Sequence, residues 1–418
     1  MENINFDEYL RESKHSETLL INQLSLARAE SKQNVYKFGF GQSPFPIPEA
    51  ITEKLIEAAH RKEYMNVQGD LTLRKAIAEF HNEVEGKNWK ADRIIVGTGS
   101  KILIFCLMSA FKKAEVLLPS PSWVSYDPQG KLAGHPVHWV ETRYEDRWRL
   151  MPDQLNHFCE QRADRNIPLI LVLNYPNNPT GQSYNKEELK ALAEVMRKHK
   201  VIVIADEIYS LLTYQQDYGS IADYYPEGCV VSSGISKWCG AGGWRLGFHY
   251  IPEQLGDNLL NAMIGVASET YSCAPSPIQV AATHAYQNKK LAKDFIDKQT
   301  RLLNKISQYC VEQLTKSDVL VHKTEGGFYL FPDFRQYKEK LEKSGITTGE
   351  QLTTKIMQDT GIALLPGSAF GMPFESLTAR LAFVDFDGGQ IFEKNLQDIT
   401  YPMVEAGILA LCDWLEKL

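Results

Sequence analysis

Lys237 and Arg245 share one glycine-rich stretch, Ser232-Ser-Gly-Ile-Ser-Lys237-Trp-Cys-Gly-Ala-Gly-Gly-Trp-Arg245-Leu-Gly247. It lies between the apolar segments Val230-Val231 and Phe248 to Ile251. The lysine is thus expected in a loop between two strands, where backbone can approach a ligand closely and a lone amine can act as a nucleophile. Taken alone, a lysine among glycines is more commonly a solvated surface charge. The loop gains chemical meaning from the other loops of the chain.

Five further stretches carry groups of the same kind. Gly97-Thr-Gly99-Ser100-Lys101 opens the apolar helix expected from Ile102 to Phe111. Its unpaired N–H groups and positive dipole end suit a phosphate, and an N-cap serine without a ligand reads equally well. Pro119-Ser-Pro-Ser-Trp123-Val-Ser-Tyr126 places a tryptophan among turn residues, either stacked on a planar ring or capping a core. Asn174-Tyr-Pro-Asn177-Asn178-Pro179-Thr-Gly181 is either an ordinary loop or an amide held rigid between prolines. Asp206-Glu-Ile-Tyr209 puts a carboxylate at the end of a buried strand, which is costly unless it meets a cation or hydrogen bonds, or caps a helix. Phe38-Gly-Phe-Gly41-Gln-Ser-Pro44-Phe-Pro46-Ile-Pro48 excludes a regular helix and leaves bare backbone at Gly41, for a ligand or simply for a rigid surface turn.

The elements that must position these groups alternate along the chain. Strands are expected at Ile94 to Gly97, Glu115 to Leu118, Val137 to Val140, Leu169 to Leu173, Val201 to Ala205, Cys229 to Ser232 and Phe248 to Ile251. Helices are expected between several of them, notably Lys101 to Lys112 and Lys186 to Lys200. Most strands are continuous apolar runs, as when helices cover both faces, so the fold class is α/β with a doubly wound, mainly parallel sheet. Such sheets bind ligands beyond the carboxyl ends of their strands, where these loops lie. Ahead of the sheet, helices are expected from Pro48 and over Leu73 to Phe80.

Past about residue 290 the order breaks down. Val319 to Phe331 reads as a strand pair around a glycine turn, Ala379 to Val384 as a strand, and Val404 to Leu418 as a helix. The expected organisation is an N-terminal arm over residues 1–45, a large domain over 46–295, and a smaller α+β domain over 296–418. Residues 1–35 read as an arm or a short helix.

The 418 residues carry a formal charge of −7, with 44% hydrophobic and 23% charged residues. The charge argues against nucleic acid as a partner. Seven scattered cysteines without Cys-x-x-Cys suggest neither a zinc site nor a disulfide framework. The acidic N-terminus lacks a signal-peptide pattern and no apolar run is long enough to span a bilayer, so a cytoplasmic protein without a membrane partner is expected.

One ligand class needs a phosphate nest, an aromatic plate, an amide, a carboxylate with a phenol, and a lysine with an arginine together: a phosphorylated, cationic, aromatic aldehyde. The chain resembles the fold type I pyridoxal-phosphate-dependent aminotransferases, the aspartate aminotransferase family. The likeness rests on Asn-Asn-Pro-Thr-Gly, Asp-Glu-Ile-Tyr, and Ser-Lys followed by Gly-Trp-Arg-Leu-Gly, in that order. Pro-Ser-Trp-Val-Ser-Tyr is similar to the bacterial aspartate/prephenate branch.

The resemblance implies that Lys237 binds pyridoxal 5'-phosphate covalently and moves a proton at the substrate's Cα. It implies that Asp206 pairs with the pyridinium nitrogen and that Tyr209 and Asn178 bond the ring's phenolic oxygen. Gly99, Ser100, Lys101, Ser236 and Arg245 are implied at the phosphate side, with Trp123 stacked on the ring. Arg380, which follows Leu365-Pro-Gly-Ser-Ala-Phe-Gly371, is implied to clamp the α-carboxylate, assisted by Gly41, Asn178 and Trp123. Tyr64, and with it Ser272, is implied to reach the phosphate of a neighbouring subunit, hence a homodimer.

Relatives carry a phosphate-binding serine where this chain has Gly234, leaving Ser233 or Ser236 as substitutes. Lys101 is either a contact for a distal carboxylate, favouring aspartate or glutamate with 2-oxoglutarate, or a solvated lysine. The implied function moves an amino group from an L-amino acid to a 2-oxo acid. The alternatives are a lyase on the same fold (carbon–sulfur or aminocyclopropane-carboxylate type) and a transcription regulator, which the short, non-basic segment ahead of Gly41 disfavours. A nicotinamide dehydrogenase is disfavoured by the missing glycine fingerprint.

Overall fold

Seven strands form one sheet in the order β1-β7-β6-β5-β4-β2-β3. The computed structural model describes Arg28, residues 34–215 and residues 218–418, so nearly all of the expected arm over 1–35 lies outside the described residues. The strands are β1 Ile94–Gly97, β2 Glu115–Ser120, β3 Val137–Glu141, β4 Leu169–Asn174, β5 Ile202–Asp206, β6 Cys229–Gly234 and β7 Gly247–Tyr250. Pairs β2–β3, β2–β4, β4–β5 and β5–β6 are parallel, and β7 runs antiparallel to both β1 and β6.

Side chains alternate between two apolar layers. Leu171, Val203 and Val231 face one layer with Trp238 and Phe80, while Ile170, Ile204 and Val230 face another with Leu103 and Met263. Both faces being covered, the strands need no polar side, which explains their unbroken apolar runs.

Helices Glu49–Ala58 and Leu71–Val84 precede the sheet, the second capped by Asp70, whose side chain accepts from Thr72 N and Leu73 N. Helix Lys186–His199 starts at Asn185 with a reciprocal Asn185–Glu188 capping box and ends on basic residues, a charge order that suits the helix dipole. A three-stranded antiparallel sheet follows in the order β8-β10-β9, from β8 Tyr329–Leu330, β9 Leu365–Pro366 and β10 Ala379–Ala382. Among the described residues no helix is long and apolar enough to cross a membrane.

The hairpin expected over Val319 to Phe331 does not form as read. Leu320 and Asp333 make a single antiparallel bridge, and Tyr329–Leu330 pairs instead with Leu381 and Ala382. The glycine turn is bonded elsewhere: Tyr214 N donates to Glu325 O at 2.8 Å and Gly327 N to Leu212 O at 3.0 Å. The loop after β5 thus takes up the backbone groups a hairpin would have used. The boundary expected after residue 295 falls inside one continuous helix, Lys289–Lys316.

His249, on β7 opposite Ser232, is fully buried, and neither ring nitrogen has a hydrogen-bond partner among the described residues. Burial pushes its pKa down to about 3. An unfolded histidine charges near 6.5. Below that pH the unfolded chain takes up a proton that the fold refuses, so stability is complete above 6.5 and declines as pH falls toward 3. The expected slope from this one group is about 1.4 kcal/mol per pH unit. Urea unfolding of wild type and His249→Leu at pH 7 and pH 5 checks it. Wild type should lose about 2 kcal/mol more than the variant over that interval, and equal losses would contradict the assignment.

Candidate active site

The carboxyl ends of β4, β5 and β6 open into a cavity of about 540 Å3 that reaches across to β10. Gly41, Ser100, Lys101, Trp123, Asn178, Asp206, Tyr209, Ser236, Lys237, Arg245 and Arg380 all line it. These residues span almost the whole chain, and the strand-end rule brings them to one place.

Lys237 Nζ donates to the Gly41 carbonyl at 2.7 Å and lies 5.4 Å from the ring centroids of both Tyr209 and Phe328. Burial, helped by the positive charge of Arg380, brings its pKa down to about 8 against the opposing pull of Asp206. An amine tuned this way is available unprotonated near neutrality, as a nucleophilic or proton-transferring lysine requires.

Asp206 ends β5 and is 3% exposed. Its carboxylate accepts from Tyr126 Oη at 2.6 Å and from Ile208 N at 3.3 Å, and among the described residues no lysine or arginine forms an ion pair with it. Burial pushes its pKa up to about 6, while Tyr126 holds it down. A cation placed in the cavity would relieve this burial cost, as a pyridinium nitrogen would.

A second buried carboxylate, Glu207, ties the neighbouring loops together. It accepts from Tyr175 Oη at 3.1 Å and Ser220 Oγ at 2.5 Å, and burial pushes its pKa up to about 7. Tyr175 belongs to the loop that carries Asn178, and Asn174 Oδ1 accepts from Asn178 N at 2.7 Å. Asn174 Nδ2 in turn donates to Asp206 O at 2.7 Å. These bonds fix the Asn178 and Asp206 loops against each other.

At the other end, helix Ser100–Ser109 points its N-terminus into the cavity. Gly99 at φ 95° leaves the turn open, because a Cβ there would fall 2.3 Å from Arg245 Nη2. A guanidinium and a helix N-terminus therefore converge on one spot, a combination suited to a phosphate. Lys101 stands exposed at the mouth with Nζ 5.4 Å from the Trp123 ring centroid, and Trp123 meets Tyr126 edge-on at 5.2 Å.

The missing serine has a steric cause. A Cβ at Gly234 would lie 2.7 Å from Leu246 O and 2.8 Å from Gly247 Cα, so β6 and β7 approach too closely there for a side chain. Ser233 is no substitute, because its hydroxyl is buried and directed at Glu207 O, 3.4 Å away. Ser236 lines the cavity.

Arg380, on β10, is 5% exposed. It donates from Nη1 to Asn178 Oδ1 at 3.1 Å and from Nη2 to Gly39 O at 2.6 Å, between the rings of Tyr329 and Phe370. Its Nε is buried without a partner among the described residues. Arg380 lines the cavity, and a carboxylate matches the geometry of a guanidinium. Tyr64 is 92% exposed and does not line this cavity, and Ser272 is likewise exposed, at φ 61°.

Among the residues lining the site, Tyr126, Asn174 and Tyr329 carried no assigned role from sequence. The first two sit in the strand-end stretches already singled out, which was their only signal. Tyr329 had none beyond its place after two glycines.

The family described as aminotransferase class I and II matches residues 33–384. The chain is 31% identical over 368 residues to an aspartate aminotransferase of Bacillus subtilis, covering 86% of this chain and 90% of that protein. It is 31% identical over 369 residues to a probable aspartate/prephenate aminotransferase of Aquifex aeolicus, with the same coverage. A solved aspartate aminotransferase from Rhizobium meliloti shares the fold with a TM-score of 0.86 at 24% identity, covering 100% of both chains.

Proposed function

Because the chain belongs to the class I and II aminotransferases, and is thus a pyridoxal-phosphate-dependent enzyme, we propose that it moves the amino group of an acidic L-amino acid to a 2-oxo acid in two half-reactions. The observation that carries this reading is the meeting of Lys237, Asp206, Arg245 and Arg380 around one cavity. Bound pyridoxal phosphate supplies an aldehyde that exchanges for the amine and a ring that accepts the electron pair released at the substrate's Cα.

The chain's own residues do the rest. Lys237 would hold the cofactor covalently, and its amine would carry the proton at the substrate's Cα. Asp206 keeps a positive charge on the ring nitrogen, and Tyr126 holds Asp206 ionised in place. Tyr209 and Asn178 bond the ring oxygen, while Trp123 covers the ring face. Arg245, Ser100 with the helix N-terminus, and Ser236 hold the phosphate in the place of the serine that Gly234 excludes. Arg380, which lines the cavity, would bind the α-carboxylate.

The relatives named for aspartate support an acidic donor. The proposed donors are aspartate and glutamate, and the proposed acceptor is 2-oxoglutarate. Lys101 at the mouth supplies the charge for a distal carboxylate. The exposure of Tyr64 supports a homodimer in which it meets the second copy, and the seven free cysteines support a cytoplasmic location.

Half-transamination of the purified enzyme with aspartate, glutamate and alanine tests the reading. Aspartate and glutamate should convert the bound cofactor to its amine form and yield the matching oxo acids. Ammonia and pyruvate released from a sulfur amino acid, without oxo-acid exchange, would point to a lyase instead. Lys101→Ala should lower kcat/KM for aspartate by about 10-fold, the worth of one exposed charge-assisted hydrogen bond, and leave alanine unchanged. An equal loss for both would remove the distal-carboxylate role.

A further inference from the structure

The hydroxyl of Tyr329 lies where the cofactor half of the cavity meets the carboxylate half. Tyr329 sits on β8 opposite Ala382 of β10 and is 1% exposed. Its Oη stands 2.9 Å from Tyr209 Oη and 3.4 Å from the Gly41 carbonyl oxygen. Its ring centroid lies 4.9 Å from the Arg380 guanidinium. A Cβ on residue 41 would fall 1.8 Å from this hydroxyl, so only glycine lets that segment pass.

A phenol has one proton to donate and lone pairs to accept with. The 2.9 Å contact between the two hydroxyls admits either phenol as donor, and it is shorter than the 3.4 Å contact of Tyr329 with the Gly41 carbonyl. The Tyr329 proton is therefore assigned to the shorter contact. Tyr209 Oη has no other hydrogen-bond partner among the described residues, so its own proton is left for an acceptor in the cavity. Hydrogen bonds in such a chain polarise one another, which makes Tyr209 the stronger donor.

We propose that Tyr329 is a positioning residue, which donates to Tyr209 and so turns the Tyr209 proton toward the ring oxygen of bound pyridoxal phosphate. The proposal rests on the reading of this cavity as the cofactor site. Arg380, Asp206 and Lys237 are the charged groups facing the pair, and Tyr126 lies behind Asp206. Burial raises both phenols above their usual range, so both stay protonated through the working pH.

Tyr329→Phe keeps the ring against Arg380 and removes only the hydroxyl. A weaker Tyr209 donor draws less negative charge off the ring oxygen, so the nitrogen joining cofactor to Lys237 becomes more basic. The midpoint of the pH-dependent colour change of the holoenzyme should rise by about 0.5 to 1 unit, the size of one net hydrogen bond. The value of kcat/KM should fall by about 3- to 10-fold for every amino donor. In a Tyr209→Phe background the same substitution should shift neither. A midpoint that stays put or moves down, or a shift that survives in the Tyr209→Phe background, overturns the proposal. Failure of the cofactor reading would appear separately, as a wild-type protein that gains no colour with added cofactor, and would overturn the proposal with it.

Discussion

Replacing Lys237 with alanine is expected to lower turnover by about four orders of magnitude, the upper range for a proton-transferring side chain. The amine sits in the cavity 2.7 Å from the Gly41 carbonyl, with burial and Arg380 bringing its pKa to about 8. Among the described residues the other lysine lining the cavity, Lys101, stands over Trp123 instead. Asp206, Arg245 and the helix N-terminus remain in the variant, so it should still take up cofactor without a covalent bond. Single-turnover measurements on the folded, cofactor-loaded variant check this, and added methylamine should restore part of the rate. Activity within tenfold of wild type would place the proton carrier elsewhere.

The second large effect belongs to Arg380→Gln. The guanidinium is buried, satisfied on two nitrogens by Asn178 and Gly39, and unpartnered at Nε. Truncating one partner of a buried, hydrogen-bonded charge pair costs about 2 to 5 kcal/mol. That predicts a fall in kcat/KM of about 30- to 5,000-fold. It should strike amino donors and oxo acids alike, since both present the same α-carboxylate. Cofactor colour should persist, because Lys237, Asp206, Tyr209 and Arg245 are unchanged and, of the residues proposed to hold it, only Asn178 loses a bond, at Oδ1. Steady-state kinetics with both substrate types, alongside the absorbance spectrum, decide the matter. Unaltered kinetics would remove Arg380 from the substrate site.

The sheet was legible in the sequence because its strands are buried on both faces and read as short apolar runs bounded by turn formers. The strand-end rule then turned loop residues into one site: Asp206, Asn178 and Lys237 end up around one cavity. What stayed hidden depends on pairing over long separations. Nothing near Tyr126 announces a bond to Asp206, and nothing near Ala379 announces that Tyr329 will lie across from Ala382. The misread hairpin has the same origin: Glu325 to Gly327 bond to residues 212–214, a partner no local pattern encodes. The glycine at 234 looked like a lost ligand, whereas the close approach of β6 and β7 excludes a side chain there.

The most direct measurement is borohydride reduction of the protein incubated with pyridoxal phosphate, followed by peptide mass mapping. The account predicts loss of the visible band and one stable pyridoxyl group, carried on Lys237. A protein that stays colourless and unmodified, or a pyridoxyl group fixed on a different lysine, would contradict it.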